Sequence, residues 1–169
     1  SFQILDMQDS QSAIKRIIKA MNLDEERFAA KQVSWFISGS KDDGRRPRDV
    51  EIRDEQTRKL VEIYQAYEDQ CQREGVVDFA ELLLRCYELL SRNEILRQHY
   101  RERFGHILVD EFQDTSEAQV QLLERLTAGW EPDDGRTVFL VGDPMQSIYR
   151  FRNAEVGLFL DVRDRGLGQ

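Results

Sequence analysis

The chain has 169 residues, 40% of them hydrophobic and 33% charged, with a net charge of −8. This is a folded composition, sized for one ordinary domain or for one small domain plus part of another. It excludes a disordered tail, and no apolar run approaches the roughly 18 residues that a bilayer span requires. The acidic excess lies mainly beyond residue 104, where 12 acids face 6 bases. The broad basic footprint of a self-sufficient nucleic-acid-binding domain is therefore missing.

Residues 1–6 hold no basic stretch followed by an apolar one, so no secretory leader is read there. The first residue is Ser1 rather than Met, and the chain is expected to start inside a longer gene product. Helical spacing begins over residues 8–21. Ile14, Ile17, Ile18 and Met21 share one face, Lys15, Arg16 and Lys19 lie elsewhere, and Asp9 and Ser10 are the expected caps. Residues 24–38 carry Phe28, Val33, Trp35, Phe36 and Ile37, with Trp35 and Phe36 assigned to the core. Gly39-Ser40 is expected to end that helix and to open a charged loop running to Pro47.

A third helix is predicted over residues 54–73, burying Leu60, Val61, Tyr64 and Tyr67 and stopping at Gly75. Asp78 caps the next helix, over residues 79–90, and Asn93 caps another that runs to about Arg103. Cys71 and Cys86 fall within these helices without a CxxC spacing. They read as buried, reduced thiols rather than a metal or disulfide framework, which points to the cytoplasm. His99 and His106 have no ligand-type partners at metal spacing and read as structural or surface residues.

The pattern changes at Gly105. His106-Ile107-Leu108-Val109 is a short apolar run ending in Asp110-Glu111, and a helix follows over residues 116–128. Residues 131–136 form a turn. Thr137-Val138-Phe139-Leu140-Val141 is a second buried strand, ending in Gly142-Asp143-Pro144, and a last helix is predicted over residues 153–163. Strand, helix, strand, helix at this spacing predicts a parallel sheet with right-handed crossovers. Two strands make only part of a doubly wound domain, and their open edge invites association. The fold class is therefore α/β: a helical subdomain over residues 1–104, then a partial parallel-sheet unit over residues 105–169.

Chemistry concentrates at the two strand ends. Open parallel sheets bind ligands at the carboxyl ends of their strands. An aspartate there, Asp110, suits Mg²⁺ on nucleotide phosphates, and a neighbouring glutamate, Glu111, suits the orientation and deprotonation of an attacking water. The plainer alternative is that both acids end a strand and cap the next helix. After the second strand, Gly142 permits a sharp exit, and the Gln146 amide suits a phosphate and the sensing of its loss. Tyr149, Arg150, Phe151 and Arg152 interleave rings and guanidinium groups, a combination that stacks on bases and takes phosphates of single-stranded nucleic acid. Their plainer alternative is core aromatics beside a solvated basic face.

Asp110-Glu111-Phe112-Gln113-Asp114-Thr115 resembles motif II of the UvrD/Rep/PcrA-like superfamily 1 helicases, and the stretch from Val141-Gly142-Asp143 through Gln146-Ser147-Ile148-Tyr149 to Phe151-Arg152 resembles their motif III. Phe2-Gln3-Ile4-Leu5-Asp6, Lys19-Ala20-Met21-Asn22-Leu23-Asp24 and Val77-Asp78-Phe79-Ala80-Glu81-Leu82-Leu83 look like the family's helical 1B subdomain. The resemblance implies a P-loop NTPase (RecA-like) fold for the second half, with ATP and Mg²⁺ as ligands. It implies Asp110 as the metal ligand, Glu111 as catalytic base and Gln146 as γ-phosphate contact, with Tyr149, Phe151 and Arg152 on single-stranded DNA and at junctions with duplex. Asp114 and Asp143 would organise the site. Lys41, Arg45, Arg46 and Arg48 would either touch duplex phosphate or form a solvated loop with Asp42, Asp43 and Asp49.

Two departures stand out. Pro144-Met145 and Phe151-Arg152-Asn153 look more like the RecB and AddA helicase–nuclease branch, so nuclease or repair-complex subunits are conceivable partners. There is also no G-x-x-x-x-G-K-[ST] phosphate loop in the chain, and no second motor domain. The remainder of a helicase chain must supply both, and the 169 residues alone are expected to be inactive. The alternative is a truncated or degenerate interaction module without catalysis. A two-metal nuclease is disfavoured because adjacent strand residues point in different directions.

Overall fold

The computed structural model describes residues 2–146 and 156–167. The protein is a mixed α/β chain that divides into two compact units, Ser1–Leu84 and Arg85–Gln169.

In the first unit, α1 (Met7–Ala20) follows β1 (Gln3–Ile4). The helix is capped by Asp6, whose carboxylate accepts from the Asp9 N–H at 2.7 Å, not by Asp9 or Ser10. Asp9 lies in the first turn, and Ser10 is buried on the packed face. The second helix starts later than predicted and runs further, as α2 (Ala30–Asp42). The Asp24 carboxylate accepts from the Glu26 N–H at 2.8 Å, a local turn that competes with helix at this point. At the other end, Gly39 and Ser40 lie inside α2, where the Ser40 hydroxyl donates to the Phe36 carbonyl at 2.8 Å.

The long α3 (Glu55–Glu74) keeps its predicted limits and buries Tyr64 and Tyr67 as predicted, together with Ile63, while Leu60 and Val61 are half-buried. Asp54 accepts from the Thr57 N–H at 2.6 Å, and Gly75 ends the helix in the left-handed region at φ 67°. The core joins Ile14, Ile17, Ile18, Val33, Ile37, Ile63, Tyr64 and Tyr67 from these three helices with Phe28 from the turn before α2. Each large side chain buried this way contributes about 1.5–3 kcal/mol of transfer free energy. Trp35, assigned to the core from sequence, is instead 39% exposed. It lies on the outer face of α2 beneath the Lys31 ammonium, 5.0 Å from the ring centroid.

A feature outside the helical reading is β2 (Val76–Val77), which pairs in parallel with β1 through Gln3–Val76 and Ile4–Val77. Two-residue strands carry no periodicity, so only the tertiary approach reveals them. Helix α4 (Phe79–Arg92) follows, capped by Asp78 as predicted, and contains the division between the units.

In the second unit, α5 (Glu94–Arg103) is capped by Asn93, whose amide oxygen accepts from the Leu96 N–H at 3.0 Å. Arg101 donates to the Arg125 carbonyl at 2.8 Å and so ties α5 to α6 (Glu117–Thr127). The two strands β3 (His106–Val109) and β4 (Thr137–Leu140) pair in parallel, His106 opposite Thr137 and Val109 opposite Leu140. Ile107, Val109, Val138 and Leu140 are half-buried on one face. On the other, Leu108 and Phe139 are 70% and 63% exposed. The last helix, α7 (Val156–Arg165), places Phe159 against Phe112, with ring centroids 5.9 Å apart.

Candidate functional site

Parallel pairing of β3 and β4 brings their carboxyl ends side by side. Phe112 N–H donates to the Val141 carbonyl at 2.8 Å, which extends the contact one step past the strands. Asp110 and Glu111 therefore leave β3 beside the segment that leaves β4 toward Gln146. Both acids are exposed. Asp110 Oδ1 accepts from the Glu111 N–H at 2.9 Å. Glu111 stands in the left-handed region at φ 53°, a conformation that costs a non-glycine residue roughly 1–2 kcal/mol and that recurs at functional positions. Immediately after it, Phe112–Asp114 makes a single 3-10 turn, closed by the Asp114 N–H on the Glu111 carbonyl at 2.9 Å.

The segment after β4 makes a similar turn, at Pro144–Gln146. Asp143 organises it. Its Oδ1 accepts from the Met145 N–H and its Oδ2 from Gln146 Nε2, each at 2.9 Å. The Met145 N–H, and then the Gln146 amide, hold the Asp143 carboxyl below the usual carboxylate range. Between the two turns lies Gln113, 2% exposed. Its Nε2 donates to Glu111 Oε2 at 2.6 Å, and its Oε1 accepts from the Asp143 N–H at 3.0 Å. Gly142 has an ordinary φ, and its need for glycine is spatial: an added Cβ would lie 2.5 Å from Gln113 Oε1 and 3.0 Å from a Phe159 ring carbon.

The site thus gathers Asp110, Glu111 and Gln146, three of the residues singled out from sequence, at one end of one sheet. Tyr149, Phe151 and Arg152 lie outside the described residues. The donor set suits a magnesium nucleotide. Asp110 is an exposed carboxylate whose Oδ2 has no hydrogen-bond partner among the described residues, and hard cations prefer such oxygens. Gln146 commits one amide hydrogen to Asp143, and its second has no partner among the described residues. Sequence reasoning missed the bridging part of Gln113. The available signal was an amide between two acids of one motif, with a glycine at the matching step of the other.

Elsewhere, the basic residues expected in the charged loop of the first unit are paired, two of them with acids outside it. Lys41 is buried against Asp78 and Glu81, Arg46 pairs with Glu68 and Glu81, Arg45 with Asp43 and Arg48 with Asp49. His106 Nδ1 sits 2.9 Å from Thr137 Oγ1. Cys71 is half-buried, whereas Cys86, expected to be buried, is exposed on α4. No helix among the described residues is long and apolar enough to cross a membrane.

Fold and site define a mixed α/β protein with paired acids and an amide-bearing turn at the carboxyl end of a parallel sheet, where such sheets bind ligands. Residues 1–165 match the UvrD/REP helicase N-terminal domain, and the chain belongs to that family. It is 50% identical over 156 residues to DNA helicase II of Escherichia coli (strain K12) and 48% identical over 158 residues to DNA helicase II of Haemophilus influenzae. Each match covers 92% of this chain and 21% of the relative. The ATP-dependent DNA helicase PcrA of Staphylococcus epidermidis is 32% identical over 166 residues, covering 97% of this chain and 22% of the relative. The chain therefore spans about a fifth of the length of these relatives.

Proposed function

We propose that this chain is part of an ATP-dependent DNA helicase that couples Mg-ATP hydrolysis to movement on single-stranded DNA. Strand separation at single-strand/duplex junctions, in repair or recombination, is the work it serves. Residues 1–104 act as the helical 1B-like subdomain. Residues 105–169 contribute part of the RecA-like 1A domain, whose phosphate loop and second motor domain come from the remainder of the helicase chain. The exposed sheet face at Leu108 and Phe139 supports a contribution from that remainder, because parallel sheets are ordinarily covered on both faces.

The observation that carries the reading is the hydrogen-bonded connection of Glu111 to the Gln146 turn at the carboxyl end of β3 and β4. Asp110 holds the metal, which when bound neutralises charge on the phosphate oxygens. Glu111 orients the attacking water and accepts its proton. Gln146 offers its second amide hydrogen to the γ-phosphate. Tyr149, Phe151 and Arg152 stack on bases and take backbone phosphates.

The test is single-stranded-DNA-stimulated ATP hydrolysis by the full-length protein, wild type against Glu111→Gln. The substitution should lower turnover by about a hundredfold or more while nucleotide still binds. Absent stimulation, or an unchanged rate in Glu111→Gln, would replace this reading with that of a non-catalytic interaction module. The 169 residues alone should not turn over ATP, and multiple turnover above background would overturn that part.

A further inference from the structure

Gln113 is buried between the two turns that carry the site, yet neither of its hydrogen bonds serves the core. The orientation of its amide is unambiguous. A carboxylate only accepts and a backbone N–H only donates, so Nε2 must face Glu111 and Oε1 must face Asp143. Asp143 in turn holds Gln146 through its carboxylate. A continuous path of three hydrogen bonds, at 2.6, 3.0 and 2.9 Å, runs from the Glu111 carboxylate through Gln113 and Asp143 to the Gln146 amide.

The packing keeps this path short. Gly142 lets the β4 exit approach Gln113 more closely than any side chain would allow. Phe112, on the other side of Glu111, is anchored by its N–H to Val141 and by its ring to Phe159. Glu111 itself holds an uncommon backbone conformation. Its N–H is bonded to Asp110 and its carboxylate to Gln113, so neighbours on both sides hold it.

We propose that Gln113 is a positioning residue that locks the Glu111 carboxylate to the Asp143–Gln146 turn. Base and phosphate-contacting amide then hold one geometry, and a shift of the turn on loss of a phosphate re-aims the base. This rests on the helicase reading above and gives the residue that makes the connection a role of its own. Gln113 touches neither substrate nor metal and acts only through Glu111 and Asp143.

The experiment uses the full-length protein with ATP and single-stranded DNA. It compares wild type, Glu111→Gln, Gln113→Met, Gln146→Ala and the Gln113→Met/Gln146→Ala double variant, reading kcat, KM and nucleotide affinity. Gln113→Met keeps the size and loses both bonds. Its kcat should fall about tenfold or more with nucleotide affinity within about threefold of wild type, since misplacing a reacting group acts on the chemical step. The double variant should be no slower than the slower single variant, because residues acting through one path are not additive. Should Gln113→Met fail to fold, Gln113→Glu retains the acceptor for the Asp143 N–H and replaces the donor facing Glu111; the same loss of kcat is expected. A wild-type kcat in either folded Gln113 variant, additive losses in the double variant, or a loss of affinity equal to the loss of kcat would overturn the proposal. Inactive wild type, or full activity in Glu111→Gln, would instead remove the helicase reading and this inference with it.

Discussion

Lys41 Nζ lies 2.8 Å from Asp78 Oδ2, although the residues are 37 positions apart and the lysine is only 2% exposed. Asp78 serves three partners at once. Its Oδ2 also accepts from the Tyr67 hydroxyl at 3.0 Å, and its Oδ1 caps α4 through the Glu81 N–H at 2.7 Å. Glu81 Oε2 approaches the same ammonium at 3.0 Å. Burial, and then the Asp78 carboxylate, push the Tyr67 hydroxyl well above the ordinary phenol range, so it remains a donor. A buried ammonium is tolerable only when its partners meet it with such geometry.

Asp78→Ala should therefore destabilise the protein by about 3–5 kcal/mol, since it removes one of the two carboxylates on a buried ammonium together with the α4 cap. Lys41→Met should cost less. It removes the buried cation, while Asp78 keeps the Tyr67 hydroxyl and Glu81 keeps Arg46. Urea denaturation of both variants checks the order, and a larger loss in Lys41→Met would contradict it.

Gly142→Ala should cost about 1–3 kcal/mol through overpacking against Gln113 and Phe159. Gly105 is the control, because an added Cβ there meets nothing within 4 Å and its φ is ordinary. Thermal unfolding should separate the two alanine variants, with Gly105→Ala close to wild type.

The cap of α3 should respond to acid. The Thr57 backbone N–H, and then its hydroxyl, hold the Asp54 carboxyl below its ordinary value of 3.8. A depressed folded-state value contributes stability that is fully present above the unfolded value and is lost as pH falls through the folded one. Asp54→Ala should thus lower the melting temperature at neutral pH. The gap to wild type should close below the ordinary carboxylate range, as the native cap is also protonated. A gap independent of pH would count against a charged cap.

The two thiols should differ in reactivity. Burial pushes the Cys71 thiol up, whereas Cys86 is exposed. A disulfide reagent on the native protein should label Cys86 faster than Cys71 by about tenfold or more, since the thiolate is the attacking species. Equal rates would mean that α3 opens as readily as α4.

Much of the local structure was legible along the chain, because it depends on neighbours within a turn. Asp54, Gly75, Asp78 and Asn93 stand where the helices begin and end, and the short apolar runs at residues 106–109 and 137–141 mark the two strands. The paired acids at one strand end and the glutamine after the next were likewise visible as types at a spacing.

What depended on contacts distant in sequence was not visible. Trp35 and Cys86 lie within predicted helices but on exposed faces. Residues 39–42 carry loop-like composition yet remain helical, where Lys41 meets Asp78 and Glu81 across the unit. The bridge from Glu111 through Gln113 to Asp143 spans 30 residues at its second step. Sequence by itself determined the long helix α3, the two longer strands, the caps at Asp78 and Asn93 and the chemical types at the site, because each follows from local backbone and side-chain preferences. Only the tertiary structure decided which faces are covered, which charges are paired and which amide joins base to turn, because those depend on distances between segments that the order of residues leaves open.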